Sequence, residues 1–98
     1  MEGSMTAQKI EQTLVSILRK HDADHIGIFG SRARGDERAD SDLDVLVGFQ
    51  QTKSLLTLVS IEQELSDALG IKVDLLTESA ISPYLIKRIK AQLKVIYQ

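Results

Sequence analysis

Three aspartates carry the most specific chemical signal in the sequence. Asp42 and Asp44 stand two residues apart in the segment 42–47. Its alternating pattern predicts a β-strand, which places both carboxylates on one face, about 6.6 Å apart. Asp74 lies at the centre of another predicted strand, residues 71–77. If the two strands are neighbours, about 4.8 Å apart, Asp74 joins the same face, and the three acids raise one another's pKa unless a cation lies among them.

Magnesium is the cation that fits such a cluster. Mg²⁺ takes oxygen ligands and keeps positions for water or phosphate. Two ions about 3.5–4 Å apart would stabilise the entering and leaving oxygens of a phosphoryl-type displacement. A solvated strand edge remains the alternative, since most aspartates are exposed, but aspartate is depleted in strands and two on one face need a reason.

A glycine–serine pair ahead of the aspartates predicts a phosphate-binding turn. Gly30 and Ser31 follow the predicted strand 25–29 and begin a turn or short helix. Glycine lets the backbone approach a ligand closely, and free N–H groups and the serine hydroxyl can donate to phosphate. Arg32 and Arg34 are near enough in the chain to help hold a polyphosphate, although nearby acids are alternative partners for them. These acids are Asp36, Glu37 and Asp40.

Two better-known motifs are excluded. Aspartates from Asp40 onward mimic the first ligands of a calcium loop, but Val45 replaces its turn glycine and Gln51 its final bidentate acid. Gly30 and Gly35 have the spacing of a P-loop, but acids follow where lysine and serine or threonine are required. The sequence therefore predicts neither a calcium hand nor a Walker-type ATPase.

The elements that would position these residues follow from apolar periodicity. Helical stripes, strand alternation and turn glycines predict an α/β fold, a small mixed β-sheet backed by helices, in a single domain over residues 1–98. The predicted helices cover 6–21, 55–69 (ended by Gly70) and a segment beginning at Pro83. The apolar stripes of the last two helices include Leu55 and Leu85. The predicted strands cover 25–29, 42–47, 71–77 and 94–97.

Composition limits the classes of function. The 98 residues are 43% hydrophobic and 27% charged with a net charge of −2, which is typical of a small soluble domain and argues against a duplex nucleic acid as partner. The absence of cysteine excludes disulfides, thiolate metal sites and a cysteine nucleophile. No apolar run reaches the roughly 18 residues needed to span a bilayer, so we expect a cytoplasmic protein without membrane contact.

The residues resemble a known superfamily. The pattern resembles that of the nucleotidyltransferases that include DNA polymerase β. It consists of Gly30-Ser31, ten intervening residues, Asp42-Leu43-Asp44 and a later Asp74 on a strand. The stretch "GSRARGDERADSDLDVLV" resembles the minimal nucleotidyltransferase (MNT) branch, and the resemblance extends from about residue 10 to the end of the chain. It implies a nucleotidyltransferase-like fold and metal-dependent transfer of a nucleoside monophosphate from a nucleoside triphosphate.

The resemblance also implies roles for individual residues. Asp42 and Asp44 would ligate two Mg²⁺ ions, and Asp74 would ligate one of them and help deprotonate the acceptor hydroxyl. Gly30 and Ser31 would hold the terminal phosphates of ATP. The two arginines are our addition from the residues themselves.

Proteins of this branch are often paired with a helical HEPN toxin. The MNT member acts as antitoxin, and at least some transfer AMP to a tyrosine of the HEPN ribonuclease, which is the function we expect here. Two alternatives remain: neutralisation of the partner by binding alone, and modification of a small molecule such as an aminoglycoside, against which the missing substrate domain argues. A basic cluster on the last predicted helix and after it fits a solvated face, or contact with an acidic partner or with the acceptor. Its members are Lys87, Arg88, Lys90 and Lys94.

Overall fold

Helices and strands alternate along residues 6–35 and 42–98, which are the residues that the computed structural model describes. The helices are α1 (Ala7–Lys20), α2 (Ser31–Arg34), α3 (Leu55–Leu69) and α4 (Pro83–Ala91), with a 3₁₀ turn at Glu78–Ala80. The strands are β1 (Ala23–Phe29), β2 (Leu43–Phe49), β3 (Val73–Thr77) and β4 (Lys94–Tyr97). Within these ranges, no helix is long and apolar enough to cross a membrane.

The four strands form one mixed sheet in the order β3-β2-β1-β4. β1 runs antiparallel to both β2 and β4, while β2 and β3 are parallel. The parallel pairing sets Asp44 directly beside Asp74, and the antiparallel pairing sets Phe29 opposite Asp44. The predicted small mixed sheet backed by helices is therefore confirmed.

The main core lies between one face of this sheet and the helices α1 and α3. Residues spaced three or four apart on each helix meet the alternate residues of the strands, as the helical and strand periodicities require. Each fully buried Leu, Ile or Val contributes roughly 1.5–3 kcal/mol. This core includes Ile10, Leu14, Ile17 and Leu18 of α1, Ile61, Leu65 and Leu69 of α3, and Leu43, Val45 and Val47 of β2.

A smaller apolar contact covers part of the other face. Leu46 and Ile89 are buried outside the main core. Leu93 lies over Gly27, where an added Cβ would come within 2.6 Å of its side chain. The end of α4 therefore rests on the same sheet face that carries Asp44 and Asp74.

Two apolar stripes predicted from the sequence extend too far. Leu55 begins α3 but is 77% exposed, because the buried part of that helix starts only at Ile61. Leu85 on α4 is 48% exposed, and Ile89 is the residue of that helix that is buried. Both leucines lie in the first turns of their helices, ahead of the turns that pack against the rest of the fold.

Candidate active site

The centre of the candidate site is a pair of half-buried carboxyl groups on adjacent strands. Asp44 and Asp74 are register partners on β2 and β3, so their side chains leave the same face of the sheet. Burial raises the pKa of Asp44 above its ordinary value. The charges of Asp74 and Asp42 and a side-chain hydrogen bond with Asp74 raise that pKa further, while the charge of Arg34 opposes the shift. Asp44 thus holds a proton more tightly than an isolated carboxylate would.

Asp42 lies beside this pair rather than within it. It directly precedes β2, which begins at Leu43 and not at Asp42 as the sequence predicts. Its charge contributes to the raised pKa of Asp44, but its own carboxylate is 4.0 Å from the ammonium nitrogen of Lys72. The structure therefore brings all three aspartates to one region, with Asp42 next to an exposed cation.

The backbone of Gly30 packs directly against Asp44. Its φ of 77° and ψ of −155° lie in a region open essentially to glycine alone. A Cβ built at this position would overlap a carboxylate oxygen of Asp44. Its carbonyl accepts from the backbone N–H groups of Ala33 and Arg34 at 3.1 and 3.2 Å, which closes the turn that begins with Ser31. Both conformation and space thus require glycine here.

The two arginines of this turn point to different places. Arg34 is near enough to Asp44 to lower its pKa, and its Nη1 donates to the side-chain oxygen of Gln92 at 3.1 Å. Arg32 instead lines a small cavity beside α1, together with Glu11 and Lys94. The acids predicted as alternative partners of the arginines, and the first aspartate of the rejected calcium loop, lie outside the described residues.

Side chains of α3 hold β3, and with it Asp74, against the rest of the sheet. The backbone N–H groups of Val73 and Leu75 donate to Ser66 Oγ at 3.0 Å and to Glu62 Oε2 at 2.8 Å. These two bonds satisfy donors on the outer edge of the strand, on either side of Asp74. The position of the third aspartate is therefore fixed by α3 as well as by β2.

The donor set fits a divalent cation, although no three acidic or histidine side chains among residues 6–35 and 42–98 are grouped closely enough to surround one ion. The side chains of Asp44 and Asp74 are near enough for a hydrogen bond that raises the pKa of Asp44, and such a bond needs a proton between the two carboxyl groups. A hard cation with oxygen preference can replace that proton, because it neutralises both carboxylates at once. One carboxylate oxygen of Asp42 is 4.0 Å from the Lys72 ammonium nitrogen, so that cation would compete with a metal ion for Asp42.

Sequence reasoning missed several residues that shape this site. Gln92 reaches Arg34 across 58 positions of sequence, so no local pattern could reveal the contact. The roles of Ser66 and Glu62 follow from the packing of α3 along β3 and have no signature either. Lys72 offered a weak signal, because it lies two residues before Asp74 and alternation places the pair on one side of the chain.

Known proteins match this chain over the whole region that builds the site. A family model described as Polymerase beta, Nucleotidyltransferase matches residues 12–98. A provisionally assigned protein adenylyltransferase of Methanocaldococcus jannaschii is 44% identical over 85 residues, which cover 87% of this chain and 91% of the relative. Protein adenylyltransferase MntA of Thermococcus cleftensis is 35% identical over 89 residues, 91% of this chain and 85% of that protein. A crystal structure described as a toxin–antitoxin with AMP-PNP is similar with a TM-score of 0.83 and 27% identity, over 89% of this chain and 72% of the other.

Proposed function

Since this chain belongs to the polymerase β nucleotidyltransferase family, we propose that it is a protein adenylyltransferase of the minimal (MNT) type. Its substrate is ATP, and its acceptor is a HEPN-type toxin that the transfer of AMP inactivates, so that the chain acts as an antitoxin. The names of the relatives and the toxin–antitoxin likeness support this assignment. The observation that carries it is the Asp44–Asp74 pair lying against the bare backbone of Gly30.

We assign the carboxylates to metal binding and proton transfer. Asp42, Asp44 and Asp74 would hold Mg²⁺, which when bound withdraws negative charge from the triphosphate. Asp74 accepts the proton of the attacking hydroxyl, as a carboxylate base within reach of the reacting atoms can. A new bond then joins the acceptor oxygen to the α-phosphorus of ATP, the bond from that phosphorus to the bridging oxygen breaks, and pyrophosphate leaves.

We assign the turn after β1 to the terminal phosphates. The absence of a side chain on Gly30 lets a phosphate approach the backbone closely, and the Ser31 hydroxyl adds a donor. Arg34 supplies positive charge on the carboxylate side of the turn. Arg32 stays a prediction from the sequence, and the contacts seen here favour Arg34 for this role.

The direct test is transfer of labelled AMP in a purified system. We expect a HEPN-type protein, sought first in the reading frame beside this chain, to gain AMP when it is incubated with the chain, ATP and Mg²⁺. The double variant Asp44→Asn with Asp74→Asn should lose transfer. Asp67→Asn, which alters an exposed acid of α3 that bonds Gln63, should keep it. No transfer by the unaltered chain at any Mg²⁺ concentration would overturn the proposal.

Neutralisation by binding alone is the competing function, and a growth assay separates the two. If transfer is required, the Asp44→Asn and Asp74→Asn variant should fail to rescue cells that express the toxin, even where it still binds. Rescue equal to that of the unaltered chain would favour the binding function instead.

A further inference from the structure

One face of α4 projects away from the fold and carries a charge pattern unlike that of the whole chain. Tyr84, Lys87 and Arg88 are spaced by three and four residues, so they share one side of the helix, which we call the outer face of α4. Tyr84 is 87% exposed, and Lys87 and Arg88 are also exposed. Ile89, on the opposite side of the helix, is buried. The outer face is therefore available to a partner.

This helix borders the candidate active site. Leu93, two residues after α4, packs over Gly27 of β1. The cross-strand partner of Gly27 is Leu46, which is two residues from Asp44 and lies on the same face of the sheet. Gln92, the residue that ends the helix, accepts a hydrogen bond from Arg34. A protein bound along α4 would therefore reach the edge of the carboxylate site.

The charges of the outer face are not balanced within the described part of the chain. Lys90 forms an ion pair with Glu78 at 3.4 Å, whereas among residues 6–35 and 42–98 no acid lies within ion-pair distance of Lys87 or Arg88. The whole chain has a net charge of −2, so this is a local reversal of sign. Tyrosine and arginine are also enriched among residues that dominate binding energy at protein interfaces.

We propose that the outer face of α4 docks an acidic segment of the acceptor protein and so places its hydroxyl group near the carboxylates. This inference rests on the proposed function and adds the surface and the charge of its partner. A nucleic acid is the less favoured occupant, because two cations on an acidic protein do not make the extended basic surface that a phosphate backbone requires.

Charge reversal on the outer face tests the proposal. We expect the double variant Lys87→Glu with Arg88→Glu to raise the Kd for the neighbouring HEPN protein at least tenfold, because two attractive contacts become repulsive. The KM for that acceptor should rise similarly, while kcat and the Kd for ATP stay within about twofold. Tyr84→Ala should weaken binding without any change of charge. Both sets of side chains are exposed, so melting curves of the variants should match the original.

The matched control places the same charge change on α1, which packs on the opposite face of the sheet. Lys9→Glu with Lys20→Glu alters an exposed lysine and an exposed Lys20–Glu64 ion pair, and it should leave the Kd within about threefold. An equal loss of binding in this control would overturn the proposal, as would an unchanged Kd in the α4 variant.

The remaining outcomes separate this inference from the proposed function. If the chain binds the HEPN protein without modifying it, the proposed function fails, and the Kd of the α4 variant still decides the docking surface. If the unaltered chain does not bind the HEPN protein, the docking surface is wrong. A variant that loses binding to a single-stranded RNA oligonucleotide but keeps the protein would assign the outer face to nucleic acid and overturn the proposal.

Discussion

Replacing Gly30 with alanine should disable the site by pressing a methyl group against Asp44. The φ of 77° with a ψ of −155° costs a non-glycine residue about 1–3 kcal/mol. The new Cβ would also overlap a carboxylate oxygen of Asp44, so either the turn or the aspartate must move. We expect Gly30→Ala to lower the free energy of unfolding by about 2–4 kcal/mol, from backbone strain and displacement together. For a domain of this size each kcal/mol lowers Tm by roughly 4–8 °C.

Gly70→Ala is the matched control that measures the effect of backbone strain alone on stability. Gly70 ends α3 with a φ of 68°, and no atom lies within 4 Å of a Cβ built there. This variant should lose about 1–2 kcal/mol of stability and keep its adenylylation rate at temperatures where it is folded. Gly30→Ala at the same folded fraction should lose at least about 100-fold in rate, because the displaced carboxylate and phosphate turn no longer align.

A double-mutant cycle measures the clash itself. Combining Gly30→Ala with Asp44→Ala removes the overlapping carboxylate, so the loss of stability caused by the glycine substitution should shrink to its backbone part. Additive losses in urea unfolding would show that the methyl group does not meet Asp44. Full activity of a folded Gly30→Ala variant would refute the placement of the phosphate turn.

Three further predictions concern the acids and their supports. Because the folded-state pKa of Asp44 is raised, its contribution to stability is present below the ordinary pKa and is lost as pH rises through the folded value. Asp44→Asn should therefore raise the metal-free Tm at neutral pH and flatten the decline of Tm between acidic and neutral pH. An unchanged dependence of Tm on pH would contradict this. Millimolar Mg²⁺ should raise the Tm of the unaltered chain but not of the Asp44→Asn and Asp74→Asn variant, since an ion that binds only the folded state stabilises it; an identical shift in both would place the ion elsewhere. Glu62→Ala should lower the free energy of unfolding, measured with urea, by about 1–3 kcal/mol, because it leaves the Leu75 N–H without its acceptor. Glu62→Gln keeps an acceptor oxygen and should lower it clearly less. Equal losses in the two variants would show that the bond does not support β3.

Periodicity and residue types predicted most of the elements, and long-range packing accounts for what they missed. The bounds of α3 follow from its apolar stripe and from Gly70, and Pro83 marks the start of α4, because these are local signals. The burial of Leu55 and Leu85 was predicted wrongly, since a stripe does not reveal where a helix leaves the sheet. The pairing of β2 with β3 could only be assumed from sequence, and no spacing indicated that Gln92 would meet Arg34.

The arrangement of the two sheet faces explains how the fold tolerates a repulsive site. Two unit charges about 4 Å apart repel by about 4 kcal/mol at an effective dielectric constant near 20. That is a large fraction of the roughly 5–15 kcal/mol by which small domains are stable. The apolar contacts lie mainly between α1, α3 and one sheet face, while the edge bonds from α3 hold β3 in register with β2. Because the sheet keeps Asp44 and Asp74 in register, the two carboxyl groups stay neighbours, and a proton held by Asp44 relieves the repulsion between them at low pH. A cation bound between them would relieve it in the same way at neutral pH.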